Sequence, residues 1–168
     1  GAKAAEEEMI ERMATLPPSR HVRQMERAEP EAMPTETFDT LADVKAEVDA
    51  CRRCPLFEMA TQAVMGQGPA DAEIMFVGEQ PGDQEDLAGK PFVGPAGKVF
   101  DAAMEEVGID RERAYVTNAV KHFKFVPRGK KRLHQRPNAG EVKACSFWLG
   151  LERELVKPKL IVAMGATA

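Results

Sequence analysis

The sequence predicts an α/β domain: three layers, with a central parallel sheet and helices on both faces. Two observations carry that prediction. Short apolar runs recur at residues 74–77, 114–120 and 160–164, and the first and last close on Gly78 and Gly165. Between them lie stretches with helical periodicity at 95–107 and from Asn138 to about Val156. Strands alternating with helices of this length give parallel pairing, because a parallel connection needs a crossover long enough to hold a helix.

Taken in order, residues 3–14 read as a helix with Ile10 and Met13 on one side. Residues 16–34 hold Pro17, Pro18, Pro30 and Pro34 among charged side chains, the composition of a linker. The chain begins at Gly1, and residues 1–37 are expected to be the tail of a preceding domain plus that linker, with the domain proper at 38–168. Leu41, Val44 and Val48 form an i, i+3, i+7 stripe on a helix that runs into Cys51. In the helix at 95–107, Val99, Phe100, Ala103 and Met104 are expected to face inward, with Gly108 closing it. Asn138 followed by Glu141 is a capping box that opens the next helix.

Composition narrows the class. A chain of 168 residues with 43% hydrophobic content suits one globular domain with a core. No apolar run approaches the roughly 20 residues of a membrane span, and no secretory h-region opens the chain. Three cysteines are a poor disulfide framework and suit a reducing compartment with metal or cluster ligation, so the expected location is cytoplasmic. The net charge of −4 argues against a non-specific DNA coat. Its distribution says more: Lys124, Arg128, Lys130, Lys131, Arg132 and Arg136 follow one another with no acid among them.

The chemistry concentrates after the first strand, in GEQPGDQEDLAGKPFVGP at 78–95. Ligands of open α/β sheets bind at the carboxyl ends of strands, which places Glu79, Gln80, Asp83, Glu85 and Asp86 where reactions are usually carried out. Cys51 and Cys54 form C-x2-C, with Cys145 far downstream. That spacing is compatible with zinc, a redox pair or an iron–sulfur cluster.

GEQPGDQED, PFVGPAG, VTNAVK and the basic GKKRLHQ at 129–135 occur here in the order found in the iron–sulfur uracil-DNA glycosylases, and from about Cys51 to Ala168 the chain resembles that superfamily. The loop GKKRLHQ is similar to the His-bearing insertion of its X-type members, which trap the DNA they cut. The resemblance implies a uracil-DNA glycosylase-like fold whose C-terminal part is missing, since the HPS-type motif is absent, leaving one sheet edge or face uncovered. It also implies a fusion to another DNA-metabolism domain.

The same resemblance implies a [4Fe–4S] cluster on Cys51, Cys54, His122 and Cys145, with His122 where other members carry cysteine. It implies Phe92 as the ring that stacks uracil and Asn118 as the amide that reads its edge. Gln80 would offer its backbone N–H to the uracil oxygens, and Asp83 would line the pocket mouth. Glu79 would stabilise the cation-like sugar, His134 would attack C1′, and Lys130, Lys131 and Arg132 would clamp phosphates. The expected partner is uracil-containing, single-stranded DNA, bound by a monomer. Two other readings stay open: a multi-turnover glycosylase in which His134 only contacts phosphate, and a non-catalytic iron–sulfur DNA-binding module.

Overall fold

The computed structural model describes residues 2–14 and 38–168, so the linker expected at 16–34 lies outside the described residues. Helix α1 spans Ala2–Ala14 and α2 spans Leu41–Asp49. Strand β1 (Ile74–Gly78) leads into a short helix α3 (Asp83–Ala88) and then α4 (Pro95–Glu106). Strand β2 (Tyr115–Asn118) follows, then a hairpin of β3 (Phe125–Arg128) and β4 (Lys131–His134). Helix α5 (Ala139–Val156) and strand β5 (Leu160–Ala163) complete the described elements. Single 3₁₀ turns form at Pro55–Glu58 and Arg111–Arg113.

Three strands pair in parallel in the order β2-β1-β5, with Gly78 opposite Asn118 at the last rung. β1 is central and buried throughout, as a continuous apolar strand should be when helices cover both faces. Its side chains alternate between two cores. Ile74 and Phe76 join Phe100 and Met104 of α4, with Met9 and Ile10 of α1 packed alongside. Met75 and Val77 face the other way, with Tyr115 and with Val156 of α5. Beyond α5, Val44 and Val48 of α2 pack with Phe147, Trp148 and Leu151.

The inward stripe of α4 needs a correction. Phe100 and Met104 are buried, but Val99 is 71% exposed and Ala103 is exposed as well. Gly97 takes the third inward position, because the Phe92 carbonyl sits where a Cβ would stand. A second difference is the basic segment, read as a loop: it folds as an antiparallel hairpin with Phe125 opposite His134 and Arg128 opposite Lys131. Asn138 does cap α5: its side chain accepts from Glu141 N at 2.9 Å while Glu141 Oε2 accepts from Asn138 N at 2.8 Å. Among the described residues, no helix is long and apolar enough to cross a membrane.

Candidate active site

At the carboxyl end of β1 and β2 a cavity of about 440 Å³ opens, lined by Gln80, Asp83, Glu85, Phe92, Asn118 and His134 among others. Gly78, the last residue of β1, lies against two of these lining side chains. A Cβ at this position would stand 2.5 Å from Asn118 Oδ1 and 2.7 Å from Phe92 Cζ. Only a bare backbone lets the amide and the ring converge there.

The Phe92 loop is held on two sides. Its φ of 54° is the left-handed conformation, uncommon for a bulky residue and found where the surroundings enforce it. Arg111 enforces it, donating to Phe92 O through both terminal nitrogens at 3.1 Å and to Pro91 O at 3.1 Å, while Asp101 pairs with the same guanidinium. On the other flank, buried Glu85 accepts from Gly94 N at 2.7 Å and from Gly82 N at 3.1 Å. One carboxylate thus ties the loop after β1 to the Phe92 loop. Nothing in the sequence marks Arg111 for this work. Glu85, in the acidic stretch after β1, is also the third residue of a helix opened by Gly82, the position from which a capping side chain reaches back.

Glu79 and His134 meet at the rim. His134 Nε2 lies 3.3 Å from Glu79 Oε1, and the imidazole is half exposed. Thr167 Oγ1 donates to the second oxygen, Glu79 Oε2, at 2.7 Å, with Arg136 Nε at 3.9 Å. The carboxylate is therefore oriented, with one oxygen held from below and the other turned to the imidazole. His134 reaches this position because the hairpin is fastened at its base. Gln80 Oε1 accepts from Lys124 N at 2.8 Å, and its Nε2 donates to Gln135 O at 2.8 Å.

Arg132 fastens the hairpin a second time. It donates to Asp83 Oδ1 and to buried Asp86 Oδ2, each at 2.5 Å, and its guanidinium lies over the rings of Phe123 and Phe125. Those paired carboxylates raise its pKa against the opposing effect of its own desolvation. Of the three cations expected to clamp phosphates, Arg132 therefore faces the protein, whereas Lys130 and Lys131 are exposed at the tip. Asp83 likewise meets Arg132 at the cavity wall.

The four candidate ligands come from segments far apart in the chain. Cys51 and Cys54 follow α2, Cys145 lies on α5, and His122 follows β2; all three cysteines are free. Burial pushes the Cys145 thiol up to about 11 and raises that of Cys54, and each feels the charge of the neighbouring sulfurs. Burial lowers the pKa of His122, disfavouring its charged form. His122 Nδ1 is buried with no hydrogen-bond partner among the described residues. Cys51 Sγ accepts from Trp148 Nε1 and Cys145 Sγ from Lys121 N, both at 3.2 Å. An orphaned imidazole nitrogen and sulfurs already receiving N–H groups are donors suited to an electropositive group. Among the described residues no three donors converge as tightly as a single metal ion requires. A four-iron cubane carries its ligands at separate corners, so it takes a wider donor set than one ion does.

The comparisons with known proteins agree with this architecture. A sequence profile described as the uracil DNA glycosylase superfamily matches residues 65–168. The chain is 40% identical over 129 residues to a Type-4 uracil-DNA glycosylase of Sulfurisphaera tokodaii, covering 76% of this chain and 56% of that protein. It is 38% identical over 131 residues to one of Archaeoglobus fulgidus (78% and 62%), and 39% identical over 133 residues to one of Thermotoga maritima (79% and 66%). The chain thus spans between 56% and 66% of the length of these relatives. The profile match takes in the parallel sheet, Gly78 and the hairpin together, and by it this chain belongs to the uracil DNA glycosylase superfamily.

Proposed function

We propose that this protein excises uracil from DNA and captures the resulting abasic site covalently through His134. The relatives are named uracil-DNA glycosylases, which supports the excision. The observation that carries the capture is the approach of His134 Nε2 to Glu79 Oε1 at the mouth of the cavity. A base must leave the stack to be reached. Phe92 offers its ring as the stacking surface, and Asn118 beside it offers an amide that can accept from uracil N3–H and donate to O4. Cytosine presents the opposite pattern, so an amide held in one orientation rejects it.

The N-glycosidic bond breaks with its electron pair passing to uracil, aided by backbone N–H donation at Gln80. The sugar becomes cation-like at C1′, and the Glu79 carboxylate offsets that charge. One ring nitrogen of neutral His134 then gives its lone pair to C1′, forming the N–C bond. The alkylated imidazolium passes the proton of its other nitrogen to Glu79. Holding the imidazole at about 3 Å from C1′ lets it compete with bulk water. Lys130 and Lys131 at the hairpin tip suit phosphate contact, and Arg132 serves by fixing the hairpin to Asp83 and Asp86.

Cys51, Cys54, His122 and Cys145 would hold the [4Fe–4S] cluster, whose part would be structural, since cleaving a glycosidic bond and capturing the sugar is not an oxidation or a reduction. The test is to mix the protein with uracil-bearing single-stranded DNA and run denaturing gels and mass spectrometry. A heat-stable species of protein plus DNA minus uracil is expected. Free uracil with no adduct would indicate a multi-turnover enzyme, and binding with no uracil release would indicate a non-catalytic module.

A further inference from the structure

Beneath Asn118 lies a charged pair that the chemistry above does not use. Lys121 and Glu152 are both fully buried, with Nζ 2.6 Å from Glu152 Oε2. The ammonium also donates to Thr117 Oγ1 at 2.8 Å and to Asn118 O at 2.6 Å, so its three protons have three acceptors. Glu152 Oε1 accepts from Gly66 N at 2.8 Å, and from Tyr115 Oη and Thr117 Oγ1 at 3.0 Å. The backbone N–H of Lys121 meanwhile reaches Cys145 Sγ.

Stability by itself is a weak reason for such a pair. Removing two charges from water is costly, and well-packed apolar side chains of the same volume often serve a fold as well or better. What an apolar pair cannot supply is a directed hydrogen bond to one carbonyl. Asn118 is the last rung of β2, and its side chain lies over the bare Gly78, where no Cβ props it. The base-reading amide is thus steadied from its own backbone, and the carbonyl of that residue is taken by Lys121. A lean of this residue re-aims the amide, and amide orientation is what separates uracil from cytosine.

We propose that Lys121, locked by Glu152, is a positioning residue for base specificity that acts through Asn118; this deepens the reading of Asn118 given above and rests on it. The test compares wild type, K121M/E152Q, N118A and the triple variant in single-turnover release of uracil and of cytosine from single-stranded DNA, with thermal midpoints and DNA affinity alongside. Met replaces the lysine stem without charge, and Gln keeps an acceptor for Gly66 N and Tyr115. Uracil release should fall about tenfold or more with DNA affinity unchanged, and the ratio of uracil to cytosine release should narrow, as befits an interaction realised in the transition state. In the N118A background the same two changes should add less than about twofold, because residues acting as a unit are not additive.

Wild-type uracil release by K121M/E152Q, or an equal loss with and without Asn118, overturns the proposal. If K121M/E152Q fails to fold, T117V removes a hydroxyl that touches both charges and carries the same test. It should show a smaller loss that vanishes in the N118A background, and a loss that persists there overturns the proposal. A wild-type protein that releases no uracil overturns the function itself and the proposal with it. An active wild type with an unaffected variant overturns the proposal alone.

Discussion

The oxygen of Glu79 that faces His134, at 3.3 Å from Nε2, is the one that Thr167 leaves free. That approach joins the loop after the central strand to the end of a hairpin far along the chain. It sets a carboxylate beside an imidazole that lines the cavity.

His134→Gly and His134→Ser should abolish the adduct while uracil is still released, because water can then enter and capture the sugar cation. Denaturing gels and a free-uracil assay on the same samples check this. A general acid would behave otherwise, since its loss slows excision itself. A cross-link that persists in His134→Gly, or that maps to Lys130 or Lys131 as a reducible Schiff base, would show the nucleophile to be elsewhere.

Asn118→Ala should lose roughly 2–4 kcal/mol of transition-state stabilisation, the scale seen for single donors at a developing anion. The rate of uracil release under single turnover reports it. Unchanged release would remove Asn118 from the pocket.

Gly78→Ala should lower uracil release with little change in DNA affinity. Its methyl would stand 2.5 Å from Asn118 Oδ1 and 2.7 Å from Phe92 Cζ, so the amide, the ring or both must shift. Binding and single-turnover rates measured together test this, and a variant as fast as wild type would mean that the two side chains need not converge.

Glu85→Ala should destabilise the fold by about 1–3 kcal/mol for each stranded N–H group, those of Gly82 and Gly94. Glu85→Gln keeps one carbonyl acceptor and should cost less. Urea unfolding of the three proteins gives the order, and equal midpoints would show that neither loop depends on this carboxylate.

Protein purified without oxygen should be yellow-brown, with the broad visible absorption of thiolate-ligated iron. Cys145→Ala should lose both colour and stability, since it sits where α5 meets the segment after β2. Zinc in place of iron in the purified protein would contradict the four-iron assignment.

Much of this was legible in order along the chain. The apolar runs at 74–77 and 160–164 gave strands because both are continuous and closed by glycine, and Asn138 with Glu141 marked a helix start that the structure keeps. The stripe on α4 was half legible. Apolar identity suggested Val99 and Ala103 as inward positions, but the Phe92 carbonyl reserves that face for Gly97 and leaves Val99 in solvent.

Local elements and the kinds of side chain at the strand ends could be read along the chain, because periodicity, capping and glycine placement act over a few residues. Which distant groups meet was set by how the elements pack. That packing turned the basic segment into a hairpin, drew Arg132 inward to Asp83 and Asp86, set Arg111 under the Phe92 loop and buried Lys121 against Glu152. Such pairings are fixed by the packing of separate elements and by the demand that a buried charge find a partner. Neither constraint leaves a periodic trace in the sequence around the residues it joins.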